Sequence, residues 1–548
     1  MDMLNDWPIY CIALVTVLLI VRAAFIWSRS TLRDIRGPSS SSFWLGNEAD
    51  LRYQDEVGDA EFPWLREYGG AWKIHGPLGS ERLMLADPKA LQYVLQTSGY
   101  RFPKRGDWRA QQRMRLGDGL AWAHGEQHKR QRRIIDPAYS TAQLKSYLPL
   151  FLGYANKLVK KLKEDEMASS TDAEPLVNMH KWLSRTTLDI IGDAGFGFRF
   201  GALDEANNEL SKVYRGLYVN SSLYLPRWDM VFRYLCKDLP LRVSYYLRYV
   251  PSRGYSRYRR YQDFIGPYGR QLIAQTQMET KGAGKDVMSV LLRANAAEDG
   301  RHKLSEDEVV AQISTVLLAG HDTTGTTISW WLYELSCHPD WQHRVREEVR
   351  AMRSKFRERG DEELAISDLE SMSVMQATLK EAMRLHPIVW LLNRTAGQDD
   401  VIPLSTPILT QSGDKISSIP VRNGQDIEIS ISAYNRNPDV WGRDAHVWNP
   451  DRFTQATKSE HAASVGVFAN LLNFSGGIRN CLGWKFAVYE MQAIAATLIE
   501  AFEFSLPPQT EENAVTAVFN EVRNRESRRD LPEGVGQRQM RLHDGAGL

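Results

Sequence analysis

The stretch that most constrains this chain is FSGGIRNCLG, residues 474 to 483, which holds one of only four cysteines in 548 residues. Gly476 and Gly477 permit a tight turn ahead of Cys481, and the apolar run CLGWKFAVYEMQAIAATLIEAF predicts a helix that starts at the cysteine. Free backbone N–H groups and the positive end of the helix dipole favour a thiolate at such a position. The arrangement predicts a metal-binding thiolate, and a buried inert cysteine behind a glycine turn is the alternative.

The other residues of this loop each have a role if the ligand is haem. Gly483 would let a flat macrocycle come close to the helix, and Phe474 would cover the sulfur and keep water away. Arg479 could reach a carboxylate on the edge of the macrocycle.

At every fixed position the loop is similar to the F-x-x-G-x-R-x-C-x-G signature of the cytochrome P450 haem-thiolate monooxygenases. The resemblance covers residues from about 36 to about 505. Within it, the segment GEQHKRQRRIIDPAYS resembles the corresponding sequence in enzymes of filamentous, especially mushroom-forming, fungi. It implies haem b with Cys481 as the iron ligand. It also implies the family's mainly α helical prism with a minor β portion, and monooxygenation as the reaction.

A second motif is AGHDTT, Ala319 to Thr324, within a long apolar helix. Glycine at 320 costs roughly 1 kcal/mol against alanine in a helix interior, and we expect it to give space and a weakened hydrogen-bond ladder where a diatomic ligand could sit. Asp322 and Thr323 offer the carboxylate and hydroxyl that could pass protons to oxygen, and they match the family's acid–threonine pair. The alternative is that the threonines only hydrogen-bond the helix backbone.

A third motif is EAMR, in which Glu381 and Arg384 lie three apart on one helical face. Arg452 in NPDRF could complete a buried charge triad with them, as the Glu-x-x-Arg and Pro-x-Arg motifs of the family do. A buried pair that loses one partner typically costs about 3–5 kcal/mol, so we expect this structural lock to control folding and haem retention.

Basic residues elsewhere resemble the family's propionate ligands. His128 and Arg132 in GEQHKRQRR stand where the family commonly has tryptophan and arginine, and Arg394 in LLNRTAG matches another arginine that commonly faces a propionate. Imidazole also donates hydrogen bonds, so all three are candidates. Solvated basic residues on a helix face or loop are the alternative.

Local signals predict several element boundaries. AWKIHGPLGSERLML reads as two short strands, followed by a helix from about Asp87 and Pro88. Ser305 with Glu308 predicts a capping box for a helix that ends before Pro339, where another helix begins. Ser367 with Glu370 predicts the cap of a third helix that halts before Pro387. Between about residues 400 and 432, Gly-Asp and Asn-Gly turns separate short strands.

The amino terminus differs in kind from the rest. Residues 7–27 are apolar except for Arg22 and are long enough to span roughly 30 Å as a helix. Tryptophans stand at both ends and arginines follow, which favours an anchor with the body on the cytoplasmic side; a cleaved signal peptide is the alternative. We therefore expect a lumenal tail at 1–6, a transmembrane anchor at 7–27, a hinge at 28–42 and a haem-thiolate catalytic domain at 43–548 in the endoplasmic reticulum membrane.

Composition limits the partners. A formal net charge of +1 lacks the basic field of a nucleic-acid-binding protein, and the scattered cysteines suggest neither disulfides nor zinc. The resemblance implies an NADPH–cytochrome P450 reductase as electron donor, with cytochrome b5 as a further donor. We expect Lys129, Arg130, Arg132, Arg133 and Lys485 to form part of its docking surface.

The substrate is expected to be lipophilic, with a terpenoid or other secondary metabolite as the favoured class on the fungal analogy alone. By position in the family, its pocket draws on two apolar stretches, made up of Val316, Leu317, Ala319 and Gly320, and of Val389, Trp390 and Leu391. A haem-thiolate isomerase or dehydratase that needs no reductase, and a non-catalytic haem-binding membrane protein, are the alternative functions.

Overall fold

The computed structural model describes residues 30–168, 175–204, 226–237, 239–279, 284–300, 302–361, 364–454, 464–507 and 539–544. The expected tail at 1–6 and anchor at 7–27 lie outside these residues, as does the start of the hinge. None of the described helices is both sufficiently long and sufficiently apolar to cross a bilayer.

The described chain is mostly helical, as predicted. The helices up to residue 300 are α1 Glu48–Arg52, α2 Glu61–Tyr68, α3 Pro88–Gln92, α4 Gly106–Leu116, α5 Gly125–Ile135, α6 Thr141–Lys161, α7 Met179–Phe196, α8 Arg227–Leu235, α9 Leu241–Ser244, α10 Arg253–Glu279 and α11 Val287–Ala297. The later helices are α12 Glu306–Cys337, α13 Pro339–Arg359, α14 Ile366–Ser371, α15 Ser373–Leu385, α16 Ile431–Asn435, α17 Pro438–Trp441 and α18 Trp484–Ala501.

Three small sheets complete the described architecture. Their strands are β1 Ala71–His75, β2 Glu81–Leu85, β3 Leu176–Asn178, β4 Leu391–Thr395, β5 Asp400–Leu409, β6 Lys415–Val421, β7 Asp426–Ser430, β8 Phe502–Ser505 and β9 Gln539–Asp544. The largest sheet has the order β1-β2-β7-β4, in which only β2 and β7 run parallel. β5 pairs with β6, and β9 lies between β3 and β8.

Most predicted boundaries are confirmed. Ser305 and Glu308 form the capping box of α12, which ends at Cys337, and α13 begins at Pro339. The cap predicted at Ser367 and Glu370 is wrong. Helix α14 begins at Ile366, one residue before Ser367, and the Asp368 carboxylate accepts the backbone N–H of Ala365. A new helix, α15, then begins at Ser373.

Helices α7 and α12 approach each other closely at two glycines of α12. A Cβ at Gly320 would lie 2.6 Å from the Ile191 side chain, and one at Gly325 would lie 3.1 Å from the backbone of Leu183. The helix runs unbroken from Glu306 to Cys337, so the expected weakening of its ladder at Gly320 is wrong. Glycine at 320 is instead explained by packing against α7.

A buried ion network fastens the amino-terminal segment to the large sheet. The carboxylate of Glu428 on β7 pairs with Arg82 on β2 at 3.2 Å and with Arg105, which immediately precedes α4. Arg82 also pairs with Glu48 of α1 at 2.5 Å. The network fixes the start of α4, which is helical from Gly106 to Leu116.

Candidate active site

The loop that carries Cys481 depends on glycine for its path. Gly477 has φ +65°, and a Cβ there would lie 1.9 Å from the carbonyl oxygen of Leu95. A Cβ at Gly476 would lie 2.4 Å from the carbonyl oxygen of Val465. The Cys481 N–H donates to the carbonyl oxygen of Phe474 at 2.8 Å, which closes the loop. The predicted tight turn is therefore present.

Cys481 itself stands ahead of the helix. The prediction that α18 starts at the cysteine is wrong, because the helix begins at Trp484 after Gly483. The Cys481 side chain is exposed although protein surrounds it densely, which places it at a gap inside the fold. Burial raises the pKa of the thiol, while the Gly483 N–H and the charge of Arg132 oppose that rise. In the polypeptide alone, desolvation therefore outweighs the expected help to the thiolate.

Phe474 and Gly483 are the two neighbours of the cysteine that we expect to contact haem. The Phe474 ring is half-buried and packs edge-on against Phe468, with ring centroids 6.1 Å apart. A Cβ at Gly483 would meet only the ring of Tyr139 at 3.5 Å, and its φ of −87° is open to any residue. The protein itself therefore gives no reason for glycine at 483, and the expected approach of a macrocycle remains a prediction.

Beside this loop lies a group of basic side chains, here named the cation cluster. It consists of Lys104, Arg109, His124, His128, Arg394 and Arg479. Across the described part of the chain, no carboxylate lies within ion-pair distance of any of them. Their bonds go to backbone and neutral groups. Lys104 donates to Ala121 O at 2.6 Å, and Arg479 donates to Ala123 O at 3.1 Å and to His124 Nδ1 at 2.7 Å.

The absence of counter-charge shows in the acid–base behaviour of the cluster. Burial, followed by the charge of Arg479, lowers the pKa of His128 to about 3 and that of His124 to about 4. The same two causes lower the pKa of Arg394 to about 10 and hold the pKa of Lys104 well below its ordinary value. A set of buried cations that disfavour one another's charge needs an anion.

Arg132 does not share the bonds of this cluster. It donates to Asn480 O at 2.8 Å and to Asn480 Oδ1 at 2.8 Å, and it lies 3.5 Å from Asp136. The expected propionate ligand thus holds the backbone next to Cys481, and its contact with a propionate remains a prediction.

The sequence analysis did not identify Lys104, Arg109 and His124, because nothing in PKRGDWR or AWAHG distinguishes them from solvated basic residues.

The residues present fit haem. Buried Arg479 Nε has no acceptor within the described residues, and Cys481 opens onto a gap on the same loop. Haem has two carboxylates on one edge and an iron that takes a thiolate, and these match the cation cluster and Cys481. Cys481 would hold the iron, and Arg394, Arg479, His128 and Lys104 would hold the carboxylates. Bound there, haem would supply the iron chemistry that activates dioxygen.

The residues of the expected structural lock meet in the core. Arg384 Nε and Nη2 donate to the two carboxylate oxygens of Glu381 at 2.7 and 2.8 Å, and both residues are fully buried. Arg452 donates to Glu381 Oε1 at 3.1 Å and to Asp444 Oδ2 at 2.9 Å. The Asn449 N–H also donates to Glu381 Oε1.

Three contacts tie helix α12 to the cysteine loop through the segment between α4 and α5. The Leu120 N–H donates to Gln312 Oε1 of α12 at 3.1 Å, and Gln131 of α5 accepts from Gln312 Nε2 at 3.1 Å. Arg479 of the cysteine loop donates to Ala123 O of the same segment. These contacts fix both α12 and the loop that carries Cys481 to the segment between α4 and α5.

On α12 the candidate relay residues point in different directions. The Thr323 hydroxyl donates to Ala319 O at 2.9 Å, which is the backbone bond given above as the alternative, yet its oxygen keeps lone pairs for a further partner. The Asp322 carboxylate faces α7, where His180 Nε2 lies 3.9 Å from Oδ1. Within the described chain no hydrogen bond joins Asp322 to Thr323.

The expected pocket residues separate into two groups. Val316 and Leu317 are buried in the main core, and their expected contact with a ligand stays a prediction. Ala319 is exposed in the middle of α12, and Gly320 is half-buried beside it. Val389, Trp390 and Leu391 are also half-buried. Ala319 and the 389–391 stretch therefore remain the candidates for pocket walls.

Comparison with known proteins decides the family. The cytochrome P450 family model matches residues 37–524. The chain belongs to the cytochrome P450 family. Cytochrome P450 monooxygenase 91 of Postia placenta is 32% identical over 498 residues, covering 88% of this chain and 89% of the relative. The ganoderic acid synthetase of Ganoderma lucidum is 31% identical, covering 87% and 89%, and the monooxygenase claP of Ampulloclitocybe clavipes is 30% identical, covering 87% of each.

Membership fixes the general chemistry. The chain has the P450 fold, is a monooxygenase of the oxidoreductase class and uses haem iron as its cofactor. The relatives are fungal P450 enzymes, as expected from the sequence. Enzymes of this family generally take electrons from a redox partner and act on lipophilic substrates.

Proposed function

We propose that this P450 hydroxylates a terpenoid or another lipophilic secondary metabolite with electrons from an NADPH–cytochrome P450 reductase. The substrate class is supported by the apolar character of the residues proposed to form the pocket wall, which are Ala319, Val389, Trp390 and Leu391. Such a wall binds a hydrocarbon skeleton by burial and offers few polar partners. A relative named for ganoderic acid synthesis supports the same class. Screening for substrate-induced shifts of the haem Soret band with terpenoid and with polar libraries tests it.

Asp322 and Thr323 are the proposed proton relay. The Thr323 hydroxyl can accept a proton from one side and give one to the other while it stays on α12, and Asp322 faces outward toward α7. Cys481 and the cation cluster hold the cofactor and do not move protons. The relay also separates monooxygenation from isomerisation or dehydration, which consume neither NADPH nor protons in this way.

Replacing Thr323 by alanine tests the relay. We expect NADPH consumption to continue, with peroxide released and product per NADPH reduced by about tenfold or more, because a positioned general acid or base typically contributes about 10²–10⁴ in rate. Thr327→Ala is the matched control: it removes a similar hydroxyl, which donates to Thr323 O, from the next turn of the helix. Unaltered coupling in Thr323→Ala would contradict the relay.

The proposed reductase surface is narrower than the sequence suggests. Arg130 is tied to Glu308 and to Lys303 O, and Arg132 to Asn480, so these two cations serve internal contacts. Lys129 and Arg133 keep more than half of their side chains exposed. Lys485, the second residue of α18, is half-buried and is the third cation of the proposed surface. It lines a cavity of about 220 Å³ beside the cysteine loop.

We expect Lys129→Glu with Lys485→Glu to slow first-electron transfer from the reductase severalfold at low salt, with the loss disappearing at high salt, because exposed charges are screened. Stopped-flow reduction under carbon monoxide measures this rate. Lys160→Glu is the matched control. Its side chain is 73% exposed, and it lies about 28 Å along α6 from Thr141, which lines the same cavity. Equal rates in the test and control variants would contradict the surface.

A membrane location belongs to the same proposal. Residues 7–27 would anchor the chain in the endoplasmic reticulum with the catalytic domain in the cytoplasm, and the length and flanking tryptophans of that segment support this. Protease protection of the full chain in microsomes tests the topology: the catalytic domain should be digested without detergent, and protection of it would contradict the orientation.

A further inference from the structure

His180, the second residue of α7, lies against the outward face of Asp322. Its Nε2 is 3.2 Å from the Thr326 hydroxyl and 3.9 Å from Asp322 Oδ1. About a quarter of the His180 side chain and a third of the Asp322 side chain are exposed. No motif marks this histidine in the sequence, since it lies about 140 residues before its partner.

The neighbouring bonds determine which ring nitrogen carries the proton. The Thr326 hydroxyl donates its only hydrogen to Asp322 O at 2.7 Å, so its oxygen can only accept from the histidine. With that bond in place, His180 Nε2 carries a hydrogen, which lies on the side of Thr326 and Asp322. In the neutral ring Nδ1 is then the acceptor, and no hydrogen-bond partner for it exists within the described residues.

The charges around the ring are few. Burial lowers the pKa of His180, Asp322 raises it, and His321 of α12 lowers it slightly further. A neutral ring with one free lone pair and partial exposure can take a proton from water at Nδ1.

We propose that His180 is a positioning residue that holds the Asp322 carboxylate and delivers solvent protons to it. The ring accepts a proton from water at Nδ1 and becomes an imidazolium. It then gives the Nε2 proton to the Asp322 carboxylate, and water exchange or a half-turn of the ring restores the Nε2–H form. One proton enters and one leaves in each passage, and no electron is transferred.

The separation of 3.9 Å is an ion-pair distance that a small carboxylate rotation or one bridging water converts into a hydrogen bond. This inference rests on the proposed role of Asp322 and Thr323, so its test needs a readout that does not depend on turnover.

The first experiment measures the pKa of His180 by NMR in the full-length holoenzyme with isotope-labelled histidine, in the diamagnetic ferrous carbon monoxide state. His180→Gln assigns the signal. Asp322→Asn should lower the pKa of His180 by about 0.7 unit or more, because the carboxylate favours the charged ring. An unchanged pKa would overturn the contact between the two side chains, whether or not the enzyme turns over.

The second experiment measures product formed per NADPH against pH. Glutamine at 180 can still donate to Thr326 but cannot titrate, so we expect His180→Gln to lower coupling severalfold and to flatten its pH dependence. His302→Gln removes an exposed histidine that bonds Asp299 and should match the wild type. If Thr323→Ala uncouples the enzyme while His180→Gln keeps the wild-type pH profile, proton delivery by His180 is excluded. If Thr323→Ala is itself silent, the proposed relay fails instead.

Discussion

Two regions of this P450 bury several cations, and they treat them in opposite ways. In the structural lock, Glu381 receives both Arg384 and Arg452, and the remaining donors of Arg384 reach Asn435 O, Ala445 O and Val447 O. In the cation cluster, Arg394 and Arg479 meet carbonyl oxygens and a neutral ring, and the pKa of each is lowered to about 10. The lock is complete within the polypeptide, whereas we expect the cluster to be completed by the cofactor.

The difference teaches how to separate folding from binding among buried charges. A cation with its carboxylate in place stabilises the chain only as one of a pair, so removal of the carboxylate is costly. A cation without one reduces the stability of the polypeptide and increases its affinity for an anion. Replacement of one charged residue by a neutral one should therefore lower the free energy of unfolding in the lock, whereas in the cation cluster it should leave that of the apoprotein unchanged or raise it.

The largest effect is expected at Glu381. Glu381→Gln leaves Arg384 in the core without its carboxylate and leaves Arg452 with Asp444 alone, and we expect the free energy of unfolding to fall by about 3–5 kcal/mol. Urea unfolding of the holoenzyme measures it. Glu347→Gln removes a largely exposed partner of Arg350 and should change stability by less than about 1 kcal/mol. Similar small changes in both variants would show that the lock is not a closed unit.

The next effect is expected at Arg394. Arg394→Met should leave the apoprotein as stable as the wild type or more so at neutral pH. The folded-state pKa lies below that of the unfolded chain, so the charged form is disfavoured throughout the range below about 10. Haem should transfer to an acceptor protein about tenfold faster, because one carboxylate loses its arginine. Destabilised apoprotein with unchanged haem transfer would place Arg394 with the lock residues.

A smaller effect is expected at Lys104. The pKa of its ammonium is held below the ordinary value by burial and by Arg479, so folding is less favourable where the unfolded chain is protonated. Lys104→Met should therefore raise apoprotein stability at neutral pH, and the gain should fade as pH rises toward about 10.5, the unfolded value, and be absent above it. Unfolding curves at neutral and alkaline pH measure it, and a constant difference would contradict the sign.

The sequence predicted much of the frame on which these regions stand. The cap of α12, the break at Pro339 and the β1–β2 hairpin follow from local signals, because each is decided within a few residues. The cap predicted at Ser367 and Glu370 is wrong because the Asp368 carboxylate accepts the N–H of Ala365 and starts the helix earlier. The pairing of β9 with β3 could not be foreseen, since it joins segments more than 350 residues apart in sequence.

The site shows the same division. Cys481, Arg394 and Arg479 were found because motifs mark them, and the lock residues were found for the same reason. Lys104 and His124 join the cluster only through the path of the segment between α4 and α5, which no local pattern encodes. Gly320 was found but explained wrongly, because its contact with Ile191 exists only after α7 and α12 pack.

The most direct test of the account is the carbon monoxide difference spectrum of the reduced full chain, compared with that of Cys481→Ser. A thiolate that completes the site with the cation cluster predicts the long-wavelength Soret band that marks thiolate-ligated haem in the wild type, and its loss in the variant. The same band in both proteins, or no haem in well-folded wild-type protein, would contradict the claim that Cys481 and the cluster together hold the cofactor.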